Sequence, residues 1–431
     1  MAHAAGRLAA LVGEVLGAPL PLRLRAWDGS ETGPVDTPIL VIRHRRALHR
    51  LLWKPGELGL ARAWDAGEIT VEGDLYQALN LMAPVVWQRG EARSERLSLR
   101  DPRALRLAGR VLALAGPSLP PAPPSEEAPA SHGLKHSLRR DREAISHHYN
   151  VGNDFYAQVL GPSFVYSCAY WADPEQTTLE QAQQAKLDLI CRKLALRPGG
   201  RLLDVGCGWG SMVLHAAEHY GVQAVGVTIS TEQADLARKR VVDAGLTDRV
   251  EIRVQDYRQI SDGPFDAISS IGMAEHVGTE AYRTYAEQLF GLLRPGGRLL
   301  NHQIARRPQA DETAYVIDEF IDRYVFPDGE LAPVGTTVSL LERAGFEVRD
   351  VESIREHYAL TLRAWVANLE RNWSEAVRLV TPGRARVWRL YMAASALAFE
   401  QNAIGVNQVL AVRNKPGGVS GMPLVRGTWG S

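Results

Sequence analysis

Cysteine is scarce, with three in 431 residues: Cys168, Cys191 and Cys207. Their spacing fits neither a zinc ligand set nor a disulfide framework, so no metal site is expected and a reducing compartment is. An excess of charge is also missing, because 49 basic residues balance 49 acidic ones. No global field therefore draws the chain to nucleic acid, and any attraction to an anionic surface must be local. No apolar run approaches the roughly 18 residues of a membrane span, and no secretory apolar segment follows Met1. Three catalytic signatures are absent as well. Glu275-His276 has no second histidine to make H-E-x-x-H, no G-x-S-x-G elbow occurs, and the strand ending at Ile271 runs into Gly272-Met273-Ala274-Glu275-His276 rather than an Asn/Asp-Pro-Pro-aromatic turn. Zinc proteolysis, serine hydrolysis and base-amino methylation are thereby unsupported. No internal repeat appears.

What is present is ample for a core: 45% apolar and 23% charged residues over a length that suits two to three domains. Prolines crowd into Pro117–Gly133, where they deny both helix and ladder bonds, and this marks a linker at 116–133. Before it, residues 1–115 read as a small accessory, lipid-associating α+β domain. Leu22–Trp27 and Thr37–Ile42 are its strands, and Arg43–Leu52, Leu58–Ala66 and Asp74–Met82 its helices. Within Trp87–Leu114, Arg103, Arg106 and Arg110 share one helical face and Leu105, Ala108, Val111 and Leu112 another, a pattern suited to a lipid interface. Residues 134–431 alternate strand and helix through Arg201–Val205, Ala224–Val227, Val250–Val254, Phe265–Ile271 and Arg298–Ile304, with Gln408–Val412 as last strand. That is a doubly wound α/β sheet. Asp318–Phe326 and Val366–Ala403 read as helical insertions and lid material.

The stretch Arg201–Gln233 organises the second domain. A buried strand, Leu202-Leu203-Asp204-Val205, breaks into Gly206, Gly208 and Gly210 before the helical pattern Met212–His219. Glycines let backbone approach a nucleotide-like ligand closely, and the helix start supplies N–H donors. A dinucleotide site is the rival reading. However, the next strand ends in Val227-Thr228, without the acid that holds an NAD ribose roughly 20 residues on. The spacing D-x-G-x-G-x-G without that acid favours S-adenosylmethionine (SAM). Asp204 would tie the loop or the amino group, Thr228 and Gln233 would face the ribose, and Gln255 and Asp256 the adenine.

Five blocks then carry a resemblance: HHYNVGNDFY (147–156), YSCAYW (166–171), LDVGCGWG (203–210), VGVTIS-x-EQ (225–233) and GMAEHVG (272–278). RYVFPDGELAP (323–333) and HYALTLRAW (357–365) extend it. The chain resembles cyclopropane-fatty-acyl-phospholipid synthases and mycolic-acid methyltransferases over about residues 140–412. With its first domain and the tail NQVLAVR, it is most similar to the actinobacterial enzymes that make 10-methylene acyl chains on the way to tuberculostearic-type acids. The resemblance implies a Rossmann-like SAM-dependent methyltransferase with a helical lid, and a bound bicarbonate as base. The bicarbonate cradle would be Cys168, Glu275, His302, Ile304 and Tyr358. Tyr166, Ser167 and Ile271 would wall the cofactor, and His148 would close over it. Where the family has His-Tyr-Asp this chain has His148-Tyr149-Asn150, and Glu143, a little over one helical turn earlier, is a candidate for steering the product.

The resemblance also implies partners: a phospholipid surface bearing the unsaturated acyl substrate and a reductase that saturates a methylene product; the sequence leaves the oligomeric state open, a homodimer being one expectation. Localisation is then cytoplasmic, peripheral at the inner face of the membrane. Three rival functions stay open at this point. One is cyclopropane formation, one a non-catalytic lipid-binding protein that kept the fold, and one methylation of a small molecule on oxygen or nitrogen.

Overall fold

The computed structural model describes residues 3–86, 102–128, 140, 151–312 and 315–426. Its chain falls into two units, the first comprising residues 1–130, 318–325 and 380–397 and the second 131–317, 326–379 and 398–431.

The first unit holds a four-stranded sheet in the order β2-β1-β3-β4, from β1 (Arg23–Arg25), β2 (Glu31–Thr32), β3 (Ile39–Ile42) and β4 (Ile69–Glu72). Helices α1 (Ala4–Leu16), α2 (Arg46–Trp53), α3 (Glu57–Asp65), α4 (Leu75–Val86) and α5 (Pro102–Ala115) accompany it. Composition alone missed α1 and β4. The amphipathic helix forms as α5, where Leu105 and Leu112 are exposed and Arg110 pairs with Glu14.

The described part of the proline-rich stretch is held down by side chains rather than strung free. Arg50 Nη1 donates to Ala122 O at 2.9 Å and Trp53 Nε1 to Ser118 O at 3.3 Å. Glu127, at the end of that stretch, is sealed between Arg62 (2.6 Å) and Arg323 (2.7 Å). Thr381 Oγ1 donates to Glu126 at 2.6 Å. Two segments read from sequence as lid material, 318–325 and 380–397, thus belong to the first unit through these polar anchors.

The second unit is built on a seven-stranded sheet, order β10-β11-β9-β8-β5-β6-β7. Its strands are β5 (Arg201–Val205), β6 (Gln223–Thr228), β7 (Val250–Val254), β8 (Phe265–Ile271), β9 (Leu293–Arg306), β10 (Glu347–Ser353) and β11 (Ile404–Val412). Five run parallel, and β11 joins β9 and β10 antiparallel. β10 went unread in the sequence because Glu347-Val348-Arg349-Asp350-Val351-Glu352 carries too little apolar residue, as suits an edge strand. Apolar clusters line both faces. Leu202, Ala224, Val213 and Ile190 meet on one, and Leu203, Val225, Ile268 and Leu289 on the other. This alternation from adjacent residues is what a doubly covered parallel sheet requires. β5 pairs with both β6 and β8, so the chain reverses direction of winding beside β5, and a crevice opens there at the carboxyl ends of the strands.

Candidate functional site

The loop after β5 is fixed before any ligand is considered. The N–H groups of Gly206 and Cys207 both donate to Val227 O, at 3.0 and 2.9 Å, stapling the loop to β6. Gly206 has φ +80°, and a Cβ there would meet Met273 Sδ at 3.1 Å, so only glycine fits. Gly210 ends the loop in a left-handed conformation as the N-cap of helix Ser211–Tyr220.

Above this loop lies a cleft of about 1170 Å³, counted to its open mouth. It takes in Tyr166, Ser167, Asp204, Gly206, Gly208, Thr228, Gln233, Gln255, Asp256 and Ile271, residues drawn from five separate stretches of sequence. Of the residues expected at the cofactor, Gly210 is the described exception, since its Cβ position faces Ala237 and it shapes the helix start instead. His148, like Glu143, lies outside the described residues.

Two expected ligand groups are already engaged. Asp256 accepts from the Arg258 N–H, Nε and Nη2 at 2.7–2.9 Å, so its carboxylate is largely committed to the turn. Thr228 Oγ1 donates to Gln233 Oε1 at 3.0 Å, which fixes both side chains as one polar edge of the cleft. Asp204, 2% exposed, accepts from Ser269 Oγ at 2.7 Å, and burial lifts its carboxyl to about 6.

The second expected group, Cys168, Glu275, His302, Ile304 and Tyr358, does not line the cleft but assembles beside it around β9. The Ile304 N–H donates to Glu275 Oε1 at 2.8 Å. His302 and Ile304, two apart on β9, point to the same face and pair in register with Gln408 and Val406 of β11. Val406 O accepts from the Ile354 N–H at 3.0 Å, and Ile354 O faces the Cys168 thiol at 3.6 Å. Ile354 is also the N-cap of the helix Arg355–Arg371 that carries Tyr358. Five residues spread over 190 positions are thus linked by successive contacts through one strand pair and one helix start.

Burial sets their protonation. Glu275 is partly exposed as a residue, but its Oε2 is sealed from solvent with no partner among the described residues, and burial pushes the carboxyl up to about 7. The Cys168 thiol is pushed well up by burial and stays protonated. His302 is held well below its ordinary range by burial, so its imidazole is neutral. Its tautomer follows from its neighbours. Lys193 Nζ donates to Gln408 Oε1 at 2.8 Å, leaving the Gln408 amide nitrogen to donate to His302 Nδ1 at 3.4 Å. The imidazole proton is therefore on Nε2, an atom that is buried and has no partner among the described residues. Glu275 Oε2 and His302 Nε2 are each buried without a partner among the described residues, and each calls for a polar guest. The donor set fits bicarbonate, which takes up N–H and carboxyl donors with its oxygens.

An aromatic chain connects the two groups. Trp209 of the glycine loop lies 4.7 Å from Tyr156, Tyr156 5.5 Å from Tyr166, Tyr166 5.4 Å from Trp365, and Trp365 6.0 Å from Tyr358. Trp209 also donates from Nε1 to Asn153 at 2.8 Å. Sequence reasoning missed Lys186, Phe164, Met273 and His276, which line the cleft. Lys186 left a legible signal, a charge placed on the apolar stripe Ala182, Lys186, Ile190 of helix Leu179–Leu194.

A family model described as mycolic acid cyclopropane synthetase matches residues 136–409. The chain belongs to that family. It is 44% identical over 415 residues to a Mycobacterium tuberculosis protein named as a probable fatty acid methyltransferase, covering 94% of each chain. It is 31% identical over 407 residues to the tuberculostearic acid methyltransferase of the same organism, covering 92% of this chain and 89% of that protein. Among solved structures, mycolic acid cyclopropane synthase CmaA1 complexed with S-adenosylhomocysteine and CTAB matches with a TM-score of 0.59 at 33% identity, covering 64% of this chain and 99% of that one. The second unit is thus a SAM-dependent methyltransferase fold of the cyclopropane synthase family. No helix among the described residues is long and apolar enough to cross a membrane.

Proposed function

We propose that this methyltransferase acts on the cis double bond of an oleoyl chain carried by a phospholipid, and that its product is the 10-methylene acyl chain. The observation that carries the reading is that Glu275 Oε2 and His302 Nε2 are each buried without a partner among the described residues, with an aromatic chain running from the glycine loop to Tyr358. An isolated alkene is a weak nucleophile, so the sulfonium methyl must be held in line at near-attack distance. The S–CH₃ bond breaks as the new C–C bond forms, and the neighbouring alkene carbon is left cationic. Such a cation needs π density and no attacking water. Tyr166, Trp365 and Tyr358 supply the first, and the burial of Trp365 and Tyr358 helps exclude the second. A hydride shift and loss of a proton from the former methyl group then give the methylene.

That proton needs a weak base close by. Bicarbonate, when bound, supplies the acceptor oxygen. The residues of the chain orient it: His302 donates from Nε2, Glu275 exchanges a proton through Oε2, and the Cys168 thiol and Tyr358 border the site. Ile304 N–H meanwhile holds the Glu275 carboxyl in place. The full-length likeness to a tuberculostearic acid methyltransferase supports the methylene outcome. The likeness of the catalytic region to a cyclopropane synthase supports the alternative, in which direct proton loss from the new methyl closes a ring. Peripheral binding at the inner face of the membrane, the partner reductase and a homodimer belong to the same proposal, with α5 as the element that meets lipid.

Mass spectrometry of fatty acids from an oleate-fed heterologous host, before and after catalytic hydrogenation, tests it. A gain of one CH₂ that then takes up H₂ is the expected result. A gain that resists mild hydrogenation indicates the cyclopropane, and no gain defeats the methyltransferase assignment on oleoyl chains.

A further inference from the structure

A lysine is buried in the wall of the crevice. Lys186 is 1% exposed, and its ammonium donates to Ser167 Oγ at 2.9 Å, its one polar partner among the described residues. An ammonium carries three donors, and burying one without a counter-charge costs several kcal/mol. Here two donors remain over. Ser167 is buried in the same wall, and its oxygen accepts from the lysine while its O–H donates to no described group. Two donor groups therefore stand together with proton capacity to spare, facing a crevice.

The surroundings leave the charge largely uncompensated. The groups in Coulombic reach of Lys186 are Asp204 across the wall, the thiols of Cys168 and Cys191, and the rings of His302 and His215. Burial keeps both thiols protonated and both imidazoles neutral at pH 7, so only Asp204 offers negative charge. Burial also lowers the ammonium to about 8, so it is still mostly charged at neutral pH. The crevice thus has a cationic corner at Lys186 and Ser167 and an anionic one at Asp204. A zwitterionic amino acid matches this pairing.

We propose that Lys186 and Ser167 receive the α-carboxylate of the methyl donor, Ser167 by direct donation and Lys186 as the positioning residue that holds and polarises the hydroxyl, while Asp204 takes the α-ammonium. The inference rests on the assignment of SAM to this crevice. It accounts for a buried lysine that packing alone would disfavour, and it gives the methionine end of the donor a fixed orientation from which the sulfonium can be aimed.

Calorimetric dissociation constants of the full-length protein for SAM and for 5′-methylthioadenosine, which lacks the amino-acid end, decide the matter. Loss of one charge-assisted contact implies that Lys186→Met weakens SAM binding about 30-fold and methylthioadenosine less than about 2-fold. Ser167→Ala should weaken SAM selectively by about 10-fold, and the double variant should add little to the Lys186 change, as coupled residues do. Equal loss for both ligands marks a purely structural lysine and overturns the proposal, as does unchanged SAM affinity. If Lys186→Met does not fold, the same selectivity ratio for Ser167→Ala decides. Wild type that binds both ligands equally sinks this inference alone, whereas wild type that binds neither sinks the cofactor assignment beneath it.

Discussion

The Ile304 N–H reaches Glu275 Oε1 at 2.8 Å, tying the short helix after β8 to the C-terminal end of β9. This bond fixes one oxygen of the carboxyl and leaves the other, Oε2, sealed and unpartnered. Such a half-satisfied acid is costly to the fold and useful to the chemistry.

The cost has a sign. Burial raises Glu275 from 4.5 to about 7, so between those values the native state keeps a proton that the unfolded chain has released. The stabilisation is present below about 4.5 and lost as pH rises through about 7, on the order of 3 kcal/mol at most. Glu275→Gln, which keeps the shape without the charge, should melt about 2–4 °C higher than wild type at pH 8. Little difference should remain at pH 5, and methyl transfer should be lost. Calorimetric scans at both pH values and a fatty-acid assay check the three outcomes together.

The His302 tautomer depends on a side chain that makes no claim on substrate. Gln408 is fully buried and presents its amide nitrogen to His302 only because Lys193 holds its oxygen. Gln408→Leu removes that control. It should lower kcat about 10–100-fold with KM for SAM unchanged, in line with outer-partner effects on oriented histidines. A drop in SAM affinity of the same size would contradict the assignment.

Arg240 braces the cofactor loop from outside. Its guanidinium donates to Trp209 O at 2.5 Å and to Ser163 O at 3.0 Å, and it lies over the Phe164 ring. Phe164, with φ +53°, lines the crevice. Arg240→Ala removes this donor from Trp209 O and one of the two donors from Ser163 O, so SAM affinity should fall about 10-fold, while Arg240→Lys should recover only part of it. Fluorescence or calorimetric titration reads this directly.

The proline-rich stretch yields a stability prediction. Glu127 is sealed between Arg62 and Arg323, and removing one member of a buried charge cluster strands the others. Glu127→Ala should destabilise the first unit by about 3–5 kcal/mol. A freely strung segment would tolerate the change with no shift, so thermal melts separate the two.

Most of the strands of the second unit were legible in the sequence. The run Leu202–Val205 and its three glycines specify a strand, a tight turn and a helix start by local sterics alone, and nearly all the residues expected at the cofactor line one crevice. Period-two and continuous apolar runs likewise announced β6 to β9. The exceptions are those whose role comes from distant partners. β10 looks polar because it forms an edge, and 318–325 and 380–397 looked like lid because nothing nearby in sequence says that Arg323 meets Glu127 or that Thr381 meets Glu126.

The same division runs through the residues of the crevice and around β9. Sequence by itself determined which residue types stand in the glycine turn and its neighbouring motifs, since motif spacing is local and side-chain chemistry is intrinsic. Protonation and orientation were decided only by tertiary structure. Desolvation of Glu275, His302 and Lys186 depends on what packs over them, and the proton on His302 Nε2 depends on Gln408 and Lys193, more than a hundred residues away on either side. A buried charge is a property of its surroundings, and those surroundings are assembled by the fold.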